Sequence, residues 1–230
     1  MGRPKCVPLQ VTIWLQDGRF VSTDGIIMLD AIIYHAWFWK YAPHVLRGEG
    51  DFEYDGNIGL PFRQLPGNRW AASRGVYTEL SQNVEYYNKR PDFFAADKIR
   101  FLEQNRGIID DSAGPYRAYR NPIITRTIEN GRIDFYCVGH SDDIADLLSR
   151  IPAVGKKPSM GFGIIKNFAI TKCDDDYTVW HPDHGLMRPV PVSEGDERCK
   201  VYPIFRYAVK PPYWKPCNMA TCYVPVGVIK

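Results

Sequence analysis

Val154-Gly-Lys-Lys-Pro-Ser-Met-Gly-Phe-Gly-Ile-Ile165 is the stretch on which the reading of this chain turns. Gly155, Gly161 and Gly163 punctuate it, Lys156, Lys157 and Ser159 lie between them, and the run Ile164 to Ile170 follows. Glycine reaches positive φ and lets another backbone approach closely. Free N–H groups in such a loop, with lysines beside them, suit phosphate oxygens. The Walker spacing Gly-x-x-x-x-Gly-Lys-Ser/Thr is absent, and no helix follows the last glycine as a dinucleotide fingerprint requires. A tight turn entering a strand is the plainer reading of the same residues.

Working outward, Ser141 is expected to cap a short helix, with Asp142 and Asp143 in its first turn, where carboxylates favour the helix dipole. Ile144, Leu147, Leu148 and Ile151 give its apolar face, and Pro152 ends it. Before it, Ile123–Ile128 and Ile133–Val138 are β-rich and joined by Glu129-Asn-Gly-Arg132, a hairpin signal. At the start of the chain Leu9, Val11, Ile13 and Leu15 alternate with Gln10, Thr12 and Trp14, the period of a half-buried strand. Ile26 to Tyr41 has no proline or glycine and is apolar almost all round, which predicts a mostly buried helix interrupted by Asp30 and His35. The order strand, helix, strand, strand, helix, strand predicts an α+β chain with a ferredoxin-like (RRM-like) βαββαβ core. The glycine loop falls between its last helix and last strand (163–170). Two stretches lie outside that core. Residues 42–121 read as an insertion with a short helix at Phe93–Gln104, and residues 171–230 as a proline-rich C-terminal extension. Arg188-Pro-Val-Pro191 and Lys210-Pro-Pro-Tyr-Trp214 in that extension do not suit central strands. The whole of 1–230 reads as a single domain.

The net charge of +3 is too small for the chain as a whole to attract a polyanion. Any nucleic-acid contact must come from local clusters. Arg63, Arg69, Trp70 and Arg74 cluster around Pro66-Gly67, with Tyr77 beyond. Ser112 to Arg120 supplies Arg117, Tyr119 and Arg120, and Arg126 follows. Interleaved arginines and aromatics suit single-stranded RNA, cations for phosphates and flat rings for bases. They equally suit a solvated basic surface with packed aromatics. No run of about 18 apolar residues predicts a membrane span. Met1-Gly-Arg-Pro-Lys-Cys6 has no apolar signal core, and the six scattered cysteines suggest reduced thiols, so the expected location is cytoplasmic. Cys217 and Cys222, with His181 and His184 upstream, allow a zinc site, but no second tight cysteine pair supports one. Neither a metal nor a cofactor is expected.

A basic glycine loop between the last helix and last strand of such a unit resembles the RAMP superfamily of CRISPR RNA-binding proteins. Leu29-Asp30-Ala31 looks like the Leu-Asp-Gly signature of many RAMP subunits, with alanine in place of glycine. Trp70-Ala-Ala-Ser73, Arg188-Pro-Val-Pro191 and Pro211-Pro-Tyr-Trp214 narrow the likeness to the small RAMP subunit of type IV CRISPR complexes. That resemblance implies a non-catalytic subunit that caps the 5′ handle of the crRNA and adjoins a backbone subunit. A large-subunit-like protein, a helicase and target DNA would complete the assembly. The RNA-contacting residues it implies, together with the basic clusters, are Arg69, Trp70, Arg74, Arg117, Tyr119, Arg120, Arg126 and the loop's Gly155, Lys156, Lys157, Ser159, Gly161 and Gly163. Two other readings remain. One is a metal-independent endoribonuclease using His35, His44 or His140 as general acid or base, with Lys157 stabilising developing charge. The other is a protein-interaction module docking through Pro-Pro-Tyr-Trp.

Overall fold

β1 (Val7–Leu15) is the centre of the main sheet. The structure, a computed structural model, describes residues 5–47, 58–89 and 119–225. The alternation read from the sequence is the one observed. Leu9, Val11, Ile13 and Leu15 are buried against one face of the sheet. Helices α1 (Leu29–Tyr41) and α3 (Ser141–Leu148) pack on that face, and α2 (Pro43–Leu46) continues from α1. Ile32, Ile33 and Ala36 of α1 meet Ile144, Leu147 and Leu148 of α3 in the same core. On the opposite face Thr12 and Gln10 both donate to the Asp134 carboxylate.

Two boundaries differ from expectation. α1 starts at Leu29 rather than Ile26, because Gly25 holds φ +75° and the Ser73 carbonyl accepts the Leu29 N–H at 3.0 Å. Trp39 and Tyr41 leave its last turn exposed. In α3 the capping position is His140, not Ser141, whose hydroxyl instead donates to Asp142.

The remaining strands are β2 (Arg19–Val21), β3 (Gln64–Leu65), β4 (Arg69–Trp70), β5 (Glu79–Lys89), β6 (Tyr119–Ile128), β7 (Arg132–Gly139) and β8 (Ile165–Lys172). After them come β9 (Trp180–His181), β10 (Gly185–Leu186), β11 (Val190–Pro191), β12 (Ile204–Ala208) and β13 (Met219–Tyr223). β7 and β8 pair with the two edges of β1, both antiparallel. The expected hairpin between 123–128 and 133–138 does not pair. The Asn130-Gly131 turn forms with φ of 53° and 62°. β7, however, has β1 on one edge, and the bridges Phe62–Gly139, Ala72–Cys137 and Val76–Asp134 occupy the other. A strand has only two edges, so β6 leaves and joins β2 and β5 in a separate sheet of order β2–β6–β5. Within the expected insertion, the described residues Leu60, Phe62 and Ala72 belong to the main core. The expected helix at Phe93–Gln104 lies outside the described residues.

The C-terminal region builds a third sheet, β11–β13–β12, and a small core of Leu186, Val190, Cys199 and Tyr223. Pro191 sits in the edge strand β11, where a missing donor is tolerated. Several small antiparallel sheets and few helices make this an α+β structure. Among the described residues no helix is long and apolar enough to cross a membrane.

Candidate nucleic-acid interface

The glycine loop lies flat along β2, the edge of the second sheet. Lys156 N–H donates to the Val21 carbonyl at 3.1 Å and Gly163 N–H to that of Arg19 at 2.8 Å. Val154 N–H closes the loop onto the Gly163 carbonyl at 2.9 Å. The approach is close. A Cβ on Gly155 (φ +80°) would meet the Val21 oxygen at 3.0 Å, and one on Gly163 (φ +70°) the Val154 oxygen at 1.9 Å. Phe162 is buried between them, packed with Val21, Ile123 and Tyr87, and the Arg19 guanidinium lies over its ring. Lys157 itself takes the left-handed conformation, φ +61°, where an L side chain is strained by about 1–2 kcal/mol. This turns its ammonium away from Lys156 and over the Tyr87 ring, 4.1 Å from the centroid. Gly155, Lys156, Ser159 and Gly161 are exposed.

Tyr87 stands on the β5–β6 ribbon, whose register pairs Tyr87 with Asn121 and Lys89 with Tyr119. Side chains alternate along a strand, so Tyr87, Lys89, Tyr119 and Asn121 share one face. The Tyr87 and Tyr119 rings are 6.0 Å apart, and the Lys89 ammonium is 5.8 Å from the Tyr119 ring. On the other face the Arg120 guanidinium stacks 3.8 Å over Tyr86. The structure thus joins two cations and two rings, Lys157, Lys89, Tyr87 and Tyr119, from three separate stretches of chain, with Lys156 next to Lys157 on the loop but reaching toward Thr23. Of these, the sequence reading singled out Lys156, Lys157 and Tyr119. Tyr87 and Lys89 were missed. The signal was the alternation of Glu85, Tyr87 and Lys89 in a stretch read as irregular. Arg117 lies outside the described residues.

Three predicted contacts face inward instead. Arg69 is buried in an ion pair with Glu194, and its Nε donates to the Pro66 carbonyl at 2.9 Å. Arg74 donates to the carbonyls of Leu186, Gly75 and His184. Arg126 pairs with Glu79 and donates to the Ser22 and Thr23 carbonyls. Their guanidinium groups hold distant segments together in the free chain, which removes them from the accessible basic surface. Trp70 is half-buried against the main core.

The short motifs that carried the resemblance converge on one buried knot. Arg188, fully buried, donates to the carbonyls of Trp70, Ala72 and Val209. Asp30 lies 3.8 Å from it and accepts the Tyr213 hydroxyl at 2.8 Å. One Asp30 oxygen and the Arg188 Nε have no hydrogen-bond partner among the described residues. Burial raises the Asp30 carboxyl to about 6 despite the opposing Arg188 charge. Leu29-Asp-Ala, Trp70-Ala-Ala, Arg188 and Pro-Pro-Tyr-Trp are thus parts of one internal brace between α1 and the C-terminal region. Burying such ions costs desolvation that only their mutual contacts offset.

The three histidines considered as acid or base lie on different elements. His35 is exposed on α1, contrary to the embedded position expected, and its Nε2 accepts the Trp39 indole N–H at 3.0 Å. Burial of part of the ring lowers its pKa. His140 contacts Cys6 through Nε2 at 3.4 Å while its Nδ1 is buried without a partner among the described residues. His44 is exposed on α2. His181 and His184 stack on each other at 4.5 Å, both with lowered pKa through burial. Cys222 is buried with its thiol near the Ala220 carbonyl, whereas Cys217 is exposed. Among the described residues no group of three or more potential ligands could hold a metal ion.

A family model described as CRISPR type IV associated protein Csf3 matches residues 7–225 of the chain. No curated protein matches it.

Proposed function

The chain belongs to the Csf3 family of CRISPR type IV associated proteins, and on that premise we propose that it is a non-catalytic crRNA-binding subunit of a type IV ribonucleoprotein. Other type IV CRISPR subunits are its partners by family. In this reading it caps the 5′ handle of the guide and abuts the backbone subunit, with the large-subunit-like protein, the helicase and target DNA elsewhere in the assembly. The observation that carries the reading is the meeting of the glycine loop with the ribbon. Lys157 over Tyr87, with Lys89 and Tyr119 beside it, offers cations and ring faces along one path. Single strands are held by that pairing of phosphate charge and base stacking, while guide–target pairing supplies sequence recognition. The RAMP, ferredoxin-like assignment draws support from the β7–β1–β8 sheet with α1 and α3 on one face, residues 72–76 standing where β6 was expected.

The test is a salt titration of crRNA binding by the wild type and by Lys156→Ala/Lys157→Ala. The expected result is weaker binding and a log–log salt slope shallower by up to about two, since each lost phosphate contact releases about one counterion fewer. An unchanged affinity and slope in the folded double mutant refutes the proposal. Incubation with repeat RNA in EDTA is expected to leave the RNA intact. Cleavage abolished by His35→Ala or His140→Ala would make the protein a nuclease.

A further inference from the structure

On the side of the glycine loop away from Tyr87 a cleft of about 580 Å³ opens between α1, the loop and the C-terminal sheet. Pockets of roughly 300–1,000 Å³ hold small organic ligands, and a single nucleotide fits within that range. Its walls are mainly apolar, with Ile27, Ala31, Ile32, Val154 and Met219 among them. Trp214 stands at its edge with 61% of its surface exposed. Two cations rim it. Among the described residues Lys156 reaches only the Thr23 hydroxyl, at 3.5 Å, and the exposed Arg206 guanidinium has no ion pair. The acid at the rim, Asp24, is already engaged by the Tyr207 hydroxyl at 2.6 Å, the Ser22 hydroxyl and the Ile26 N–H. An apolar recess with an aromatic edge and two cations that have no ion pair among the described residues suits a ligand that is flat and apolar at one end and anionic at the other.

We propose that this cleft receives one nucleotide of the bound single-stranded RNA, its base beside Trp214 and its phosphate between Lys156 and Arg206. The proposal rests on the RNA-binding reading above and extends it. The left-handed backbone at Lys157 splays the two adjacent lysines, one toward Tyr87 and the other toward the cleft. A strand crossing the loop therefore meets a ring platform on one side and a recess on the other, and consecutive phosphates have a lysine each.

The test uses the full chain with repeat-derived RNA carrying 4-thiouridine at one position at a time, and the variants Trp214→Ala, Arg206→Ala and Lys157→Ala. One position is expected to crosslink to the 206–219 segment, and a different one to the β5–β6 ribbon. Trp214→Ala should weaken binding about tenfold with an unchanged salt slope, as loss of one base stack does. Arg206→Ala, a change at an exposed side chain, should lower the slope by about one. Wild-type RNA affinity and slope in both cleft variants overturns the proposal. If those variants then fail to join the other type IV subunits, the cleft receives a protein segment instead. Loss of binding in Lys157→Ala alone leaves the RNA-binding reading standing without the cleft, whereas wild-type binding in all three removes both.

Discussion

Asp30→Asn isolates the buried knot. The aspartate keeps a hydroxyl partner in Tyr213 and a cation in Arg188, yet its carboxyl is raised from an ordinary 3.8 to about 6, chiefly by burial. A folded-state pKa above the unfolded one means the native protein holds this proton more tightly. The contribution to stability is then fully present below about pH 4 and is lost as pH rises through 6. At about 1.4 kcal/mol per pKa unit the shift is worth about 3 kcal/mol. Asparagine can still accept from Tyr213 and does not titrate. The urea midpoints of wild type and Asp30→Asn, measured from pH 4 to pH 7.5, should therefore diverge, with the variant gaining on the wild type as pH rises. With a slope of about 2–3 kcal/mol per M, the relative shift is roughly 1 M. Asp146, lowered to about 2 by Arg150 and Lys40, biases acid stability the opposite way, but it is common to both proteins and cancels. Midpoint curves that run parallel across this range would show that Asp30 ionises normally and that the brace carries no desolvated charge.

Tyr87→Ala should weaken crRNA binding by about tenfold with little change in salt slope, and Tyr119→Ala likewise, if both rings stack on bases. If Tyr119 is only a packing residue, its variant instead lowers the melting temperature of the free protein and leaves affinity per folded molecule unchanged. Gly163→Ala should destabilise the protein by more than about 1 kcal/mol in thermal unfolding, because the new Cβ would sit 1.9 Å from the Val154 carbonyl oxygen at a positive φ. Gly161→Ala has open space around it and pays only for its φ of +88°, so a loss as large as that of Gly163→Ala would contradict the geometry.

Local pattern determined β1, the apolar face of α3 and the positive φ of the loop's three glycines, though not that of Lys157, because each is settled by residues within a few places of one another. Alternation picks the buried face of a strand, spacing of three and four picks the face of a helix, and only glycine suits the close contact at 155 and 163. The Asn130-Gly131 turn was equally legible, but not what its flanking strands pair with. Which strand takes the free edge of β7 is a competition that 62–76 wins from far along the chain. The same distinction divides the arginines. Arg69 and Arg74 lie among aromatics just as an RNA-binding arginine would, and only the carboxylate of Glu194 and the carbonyls of Leu186 and His184, more than a hundred residues away, make them internal braces. Tyr87 and Lys89 became part of the candidate interface only when β5 paired with β6 and brought them beside Lys157 and Tyr119. Composition states what a guanidinium or a ring can bind. Whether solvent or the protein's own carbonyls reach it first is decided by tertiary packing, since a buried cation must find its partners inside the fold.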